Sequence, residues 1–310
     1  MSEWKNKRVF ISGGSGVIGT ALVDNLIKQG AILFVGDLKA RPASTSWKEV
    51  KYREGDLISL SRIEIEEFNP EVFFHLAATF ERSIETKEFW EENYHHNIAL
   101  SHHLLSLQKD LPALKKIIFA SSYLIYNPDK YLFSAPQNSS KALNENDPVD
   151  PRNLCGMAKM LHEQELFFIN KFRPDLQVVN ARIFRSYGKN SRDIISRWIR
   201  ALLNNESINV YCPEGRFDFV FAEDVALALQ SLAESDFKGV VNIGTGRSRS
   251  ISEVLEILKG HFGSMECQTE NTLVPYEASQ ADMALFNYRV KDFRFRSLEE
   301  VIPLLIAYEK

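Results

Sequence analysis

The chain has 310 residues, 45% hydrophobic and 25% charged, with a formal net charge of −4. That length and composition suit a globular protein of one large domain or two intimately joined lobes. The slight acidity gives no reason to expect nucleic acid or an anionic membrane as a partner, and no apolar run reaches membrane-spanning length. The N-terminus, MSEWKNKRVFISGG, enters a strand pattern almost at once, so no signal peptide is expected and a cytoplasmic location is. Cys155, Cys212 and Cys267 form no CxxC pair, so free thiols and no metal site are expected. His95, His96, His102 and His103 cluster on a polar helical stretch, where surface or helix-packing roles are expected, since zinc needs convergent ligands.

In chain order, apolar β-rich runs alternate with amphipathic helical patterns. The spacing predicts strands over 8–12, 31–37, 50–54, 71–77, 116–122 and 177–183, and helices over 17–30, 59–68, 88–108 and 156–172. Such alternation predicts an α/β fold, a doubly wound, mostly parallel sheet of Rossmann type with helices on both faces. The polar stretch 127–151, rich in Pro, Asn and Ser, reads as a long loop. Beyond residue 184 the rhythm loosens. Helices are expected over 192–205, 223–234, 251–262 and 298–310, with strands over 208–211, 217–221 and 239–244. We therefore expect a dinucleotide-binding domain over 1–183, to which 223–244 returns. A smaller interleaved substrate lobe is expected over 184–222 and 245–310.

The first predicted strand runs into 12-SGGSGVIG-19, where Gly13, Gly16 and Gly19 stand at three-residue spacing before a helix. A pyrophosphate needs such a loop: a tight turn, close backbone approach, and a helix N-terminus aimed at the charge. The run 31-AILFVGD-37 ends in Asp37, eighteen residues after Gly19, able to accept hydrogen bonds from adenosine ribose hydroxyls. Asp37 would repel a 2′-phosphate, which favours NAD over NADP, although Lys39 and Arg41 lie just beyond. Asp56, after the third strand, could face the adenine edge.

Ten stretches in order carry a resemblance: 12-SGGSGVIG-19, Asp37, 55-GDL-57, 70-PEVFFHLAA-78, 97-NIALSHHLL-105, 119-FASSYLIY-126, 155-CGMAK-159, 182-RIFRSYG-188, 218-DFVFAED-224 and 242-NIGTG-246. Together they resemble the extended short-chain dehydrogenases, the NAD-dependent epimerase/dehydratase family that acts on nucleotide sugars. The resemblance implies that Val17, Ile18, Leu57, Leu76, Ala77, Ala78 and Ser121 join Gly13, Gly16, Gly19, Asp37 and Asp56 around NAD. It implies that Ser122 hydrogen-bonds the reacting hydroxyl and that Lys159 binds the nicotinamide ribose. Thr79, Arg82, Tyr123, Phe184, Arg185, Arg216 and Asp218 would face the substrate. Relatives often dimerise through helices matching 88–108 and 156–172, so a homodimer is expected.

The departures matter as much. The family's tyrosine, four residues before Lys159, is Cys155 here. A thiol beside an ammonium is expected to be acidic enough for a base at neutral pH, although its sulfur reaches less far than a phenol. The alternative is an inert small residue where a strand end meets a helix. Tyr123 and Leu124 occupy the places where family 4,6-dehydratases carry acidic residues, which disfavours dehydration. Arg185 and Arg216 stand near the diphosphate-binding positions, or else form surface ion pairs. The leading expectation is an NAD-dependent nucleotide-sugar epimerase or oxidoreductase working by reversible hydride transfer. The alternatives are a dehydratase with a non-tyrosine acid/base, and a binding protein with impaired catalysis.

Overall fold

A computed structural model describes residues 3–82, 84–270 and 275–310. The order of elements begins β1 (Arg8–Ser12), α1 (Val17–Lys28), β2 (Ile32–Asp37), β3 (Lys51–Glu54), α2 (Arg62–Phe68) and β4 (Val72–His75). It continues with α3 (Lys87–Asn93), a π-helical turn (Tyr94–Ala99), α4 (Leu100–Gln108), β5 (Lys116–Ser122) and α5 (Leu154–Ile169). Strands Gln177–Ile183 and Gly239–Ile243 complete a seven-stranded sheet. From one edge the strands run Gly239–Ile243, Gln177–Ile183, β5, β4, β1, β2, β3.

The ladders β1–β2, β1–β4, β2–β3 and β4–β5 are all parallel. A parallel sheet is covered on both faces, so its strands read as continuous apolar runs. In β1 the residues Val9, Phe10 and Ile11 are fully buried. Phe10 stacks on Phe73 of β4, ring centroids 5.1 Å apart, and meets Phe34 of β2 at 5.2 Å. The order of connection reverses between β1 and β4, and at such a switch point the carboxyl ends of the strands open a crevice. Ser12 pairs there with Gly36 on one side and His75 on the other.

Local chemistry sets the helix ends. α2 starts with a capping box between Ser61 and Glu64. Asn153 caps α5 by accepting from the Gly156 amide. At the other end of the sheet, Lys116 is buried at the start of β5, where its ammonium donates to Gln177 Oε1 at 3.0 Å, Ser235 O at 2.7 Å and Phe237 O at 2.9 Å. Burial lowers its pKa from 10.5 to about 8.

The chain divides into two compact units, 1–125 with 149–182 and 226–241, and 126–148 with 183–225 and 242–310. The second unit has its own core, built around Tyr187, Trp198, Ile199, Phe219, Val301 and Ile302. Its strands are short and paired in twos, Ile208–Tyr211 with Cys267–Glu270 and Ser279–Ala281 with Lys141–Leu143 among them. The structure differs from the sequence reading in several places, among them the unexpected short strands Arg185–Tyr187, Arg249–Ser250 and Cys267–Glu270 and the helix Ala284–Arg289. The stretch expected as a bare loop over 127–151 carries strands Leu132–Phe133 and Lys141–Leu143, and most of it belongs to the second unit. The strand expected over 217–221 is two strands, Arg216–Phe217 and Phe219–Phe221. The helix expected over 88–108 contains the π-helical turn.

Candidate active site

The glycine loop lies between β1 and α1. Gly13 has φ +77°, and a Cβ there would stand 2.5 Å from Ala77 N. A Cβ on Gly19 would come within 2.2 Å of Gly13 O, and one on Gly16 within 3.2 Å of the same oxygen. Gly16 begins α1 with no side-chain cap and no acidic residue in the first turn. The result is a tight backbone cradle at a helix N-terminus whose own first turn carries no acidic residue, which fits an adenine dinucleotide's pyrophosphate. Val17 and Ile18 are half-buried in that first turn. Asp37 ends β2 and is held by two amides, Ser15 N at 2.8 Å and Lys39 N at 2.9 Å. A carboxylate has about four acceptor sites, so two remain for ribose hydroxyls. Arg41 stacks over the Tyr52 ring at 5.6 Å.

Asp56 caps the turn Leu57–Ser59 and is hydrogen-bonded by His95. Burial raises its pKa, but the His95 and Ile58 hydrogen bonds outweigh that and hold it below the usual carboxylate range. Leu57 is core. Leu76 and Ala77 are half-buried and Ala78 is exposed, in the segment that follows β4. Behind them His75 is fully buried between Ser12 Oγ at 2.7 Å and Ser101 Oγ at 2.8 Å. Ser101 gives its one proton to Asn97 O at 2.6 Å, so it accepts from His75 Nε2–H, and Nδ1 accepts from Ser12. Burial together with the neighbouring His162 and Lys159 pushes His75 well below its ordinary pKa, in keeping with this neutral tautomer.

Lys159 reaches from α5 to the end of β5, where its Nζ donates to Ala120 O at 2.7 Å and lies 4.7 Å from the centre of the Phe119 ring. Burial lowers its pKa to about 8. Ser122, two residues on from Ala120, is half-buried and accepts from Leu124 N at 3.2 Å. Tyr123 and Leu124 are buried, 3% and 7% exposed.

Cys155 corrects the sequence reading. The expected acidity assumed that the ammonium of Lys159 decides. The thiol is only 5% exposed, packed with Phe89 and Leu154, and burial pushes it up to about 12. Lys159 opposes this, but Glu81 and Glu85 push the same way as burial. Its sulfur lies 3.8 Å from both Thr79 O and Asn97 Nδ2. Burial among apolar neighbours therefore outweighs the Lys159 ammonium and works against the thiolate form. The Ser121 hydroxyl is buried and donates to Glu163 Oε1 at 2.5 Å. Asp218 is a second correction. It is fully buried in the second unit, and its carboxylate is taken by Thr245 N and Oγ1, Gly246 N and Ala281 N at 2.6–3.0 Å, so it orders loops and has no face for substrate.

Thr79 donates its hydroxyl to Glu92 at 2.5 Å, and Arg82 joins the same carboxylate at 3.1 Å. In the second unit Phe184 is 3% exposed. Arg185 pairs with Glu277 at 3.4 Å over the Phe217 ring, and Arg216 pairs with Glu253 at 3.1 Å. Both arginines are therefore already engaged by carboxylates.

Residues 9–244 match the model of the NAD dependent epimerase/dehydratase family. The chain belongs to that family. Among its relatives, CDP-abequose synthase of Salmonella muenchen is 25% identical over 82% of this chain and 80% of its own. ADP-L-glycero-D-manno-heptose-6-epimerase of Alkalilimnicola ehrlichii is 25% identical over 94% of each chain. The solved structure of MoeE5 in complex with UDP-glucose and NAD is 25% identical, with a TM-score of 0.82 over 97% of this chain and 98% of that one. Family members thus differ in reaction.

Sequence reasoning missed His75, Glu92, and the pair Glu163–Arg182, whose side chains are 1% and 6% exposed and 2.9 Å apart. Glu163 stands four residues after Lys159, and that helical spacing was the available signal. Arg182 lies on a strand whose other polar residues are Gln177 and Asn180, and a buried charge there demands a partner.

Proposed function

We propose that this protein is an NAD-dependent nucleotide-sugar epimerase or oxidoreductase acting at a sugar ring carbon, in which Lys159 rather than Cys155 handles the proton. The observation that carries the reading is Lys159, held by Ala120 O at the carboxyl end of β5 with its pKa near 8. Gly13, Gly16 and Gly19 hold the pyrophosphate, and Asp37 and Asp56 take the adenosine. NAD supplies the site that accepts and returns hydride. Ser122 orients the hydroxyl being oxidised, and the Lys159 amine exchanges its proton. A group of pKa near 8 keeps a usable share of both forms at neutral pH, as general acid–base work requires. Dehydration is disfavoured, because the buried Tyr123 and Leu124 supply no carboxyl pair for elimination. Arg185 and Arg216 exchange Glu277 and Glu253 for diphosphate oxygens, a swap that suits the forked guanidinium.

A homodimer goes with this reading. Met157, Leu161, Phe168 and Phe172 form a stripe at i, i+4, i+11, i+15 along and just beyond α5, 37–69% exposed, and Trp90 and Tyr94 add a second exposed pair at i, i+4. Such a surface calls for a second copy of the chain.

The test is to incubate the purified protein with NAD and a panel of UDP-, GDP-, CDP- and ADP-sugars. Reduced-nicotinamide absorbance and the stereochemistry of the sugar are followed. Activity is expected to rise with pH through about 8, as Lys159 loses its proton, and Cys155→Ala is expected to keep that profile. Loss of the alkaline rise in Cys155→Ala would return the proton to the thiol. A 5,6-unsaturated or a 4-keto-6-deoxy product would refute epimerisation or simple oxidation.

A further inference from the structure

His95 and His96 have no part in the chemistry above. They open the π-helical turn Tyr94–Ala99, a wider winding that is uncommon and often found at functional sites. The two rings meet edge to face, centroids 4.7 Å apart and planes at 85°. Asp56 faces them from the far end of β3. Its Oδ1 is fixed by the Ile58 amide at 3.0 Å, and its Oδ2 is hydrogen-bonded by His95 Nε2. One ligand atom from each of Asp56, His95 and His96 lies within 4.8 Å of the other two. His95 is exposed and the other two are half-buried, so an ion can enter from solvent.

We propose that Asp56, His95 and His96 bind a borderline-soft first-row divalent cation of the zinc type, which takes the place of the hydrogen bond between His95 and Asp56. Two imidazoles and a carboxylate suit zinc and leave its fourth position for water. Ligands about 2.0–2.2 Å from a tetrahedral ion stand roughly 3.4 Å apart. The His95–Asp56 contact therefore opens slightly and His96 closes in, movements within reach of side-chain torsions. The carboxylate is already anchored by Ile58, so only the two rings need adjust. Magnesium, which prefers oxygen and keeps its water, does not fit this set.

A second consequence rests on the proposed role of Asp56 at the adenine edge: cation and dinucleotide then compete for one carboxylate, and zinc lowers NAD affinity. Calorimetry of the full chain, freed of dinucleotide, is expected to show one zinc ion bound per chain and no heat from magnesium. His95→Ala and His96→Ala are each expected to weaken zinc by at least about tenfold, as even the loss of a supporting partner does in metal sites. Cys267→Ser, which removes an exposed thiol, is expected to change nothing. Zinc binding that survives both histidine substitutions, or no zinc binding at all, overturns the site. NAD affinity is then measured with and without zinc, with a fall expected in the parent chain and none in His95→Ala. Zinc held through both histidines with NAD affinity unchanged overturns Asp56 as an adenine contact and upholds the cation site. A chain that binds zinc but never NAD refutes the cofactor reading alone.

Discussion

Glu163→Gln isolates the buried pair behind Lys159. The substitution keeps the shape of the side chain and removes its charge. Three donors now converge on that carboxylate: Ser121 Oγ at 2.5 Å, Arg182 Nε at 3.2 Å and Arg182 Nη2 at 2.9 Å. The amide takes away the buried anion that stands 2.9 Å from the Arg182 guanidinium, itself 6% exposed. Removing one partner of such a pair costs about 3–5 kcal/mol, because the remaining charge is stranded. At the shallow end of the dependence for large domains, about 2 °C per kcal/mol, the unfolding midpoint falls by roughly 6–10 °C. The assay is scanning calorimetry beside urea denaturation, read on the transition of the first unit. The double variant Glu163→Leu with Arg182→Met removes both charges and is expected to recover most of the loss. A fall below about 1 kcal/mol in Glu163→Gln, or a double variant no better than the single one, would refute the account of a dry ion pair.

Three further outcomes are expected. Iodoacetamide at neutral pH alkylates exposed Cys267 first and Cys155 last, by peptide mass mapping, because the Cys155 thiol is buried and pushed up to about 12; early labelling of Cys155 contradicts its burial. Lys116 has a folded pKa of about 8 against an ordinary 10.5, so the folded state binds fewer protons than the unfolded one between those values. Stability therefore rises with pH across that window by up to about 3 kcal/mol, the penalty being full below pH 8. Lys116→Met removes this rise, and parallel stability curves for the two proteins would deny the shift. Phe168→Glu on the exposed stripe of α5 turns a dimer into a monomer in sedimentation, and a parent chain already monomeric at working concentration disposes of the dimer.

The sheet was legible because strands buried on both faces carry short β-rich apolar stretches, Ile117–Ala120 within 116-KIIFASS-122 and Val178 with Val179 within 177-QVVNARI-183, and both bounds match the structure. The glycine loop was legible for a related reason: its backbone admits no side chain at Gly13 or Gly19. The second unit was harder. Two-residue strands such as Arg216–Phe217 and Arg249–Ser250 have no period to read and exist only because their partners are brought together by the fold. Cys155 shows the limit most clearly. Its spacing to Lys159 was visible, and so was the sign of that interaction. The desolvation that outweighs it depends on Phe89 and Leu154, and on carboxylates some seventy residues away in sequence. Asp218 failed the same way, since a motif position does not reveal how many amides have already claimed a carboxylate.

The π-helical turn carries an evolutionary corollary. Upstream of it Asn93, and within it Asn97, form a polar clasp: Asn97 accepts from Thr79 N at 2.8 Å and donates to Asn93 Oδ1 at 2.6 Å. Downstream, Leu100, Leu104 and Leu105 seat in the main hydrophobic cluster. An α-helix advances about 100° per residue, so trimming one amino acid from the bulge would swing one half against the other by that angle. Either the clasp or the leucine seam could then keep its seat, but not both. Single-codon deletions should be purged from 94–99 while point changes at exposed Tyr94 are tolerated, a pattern a deep mutational scan would expose directly.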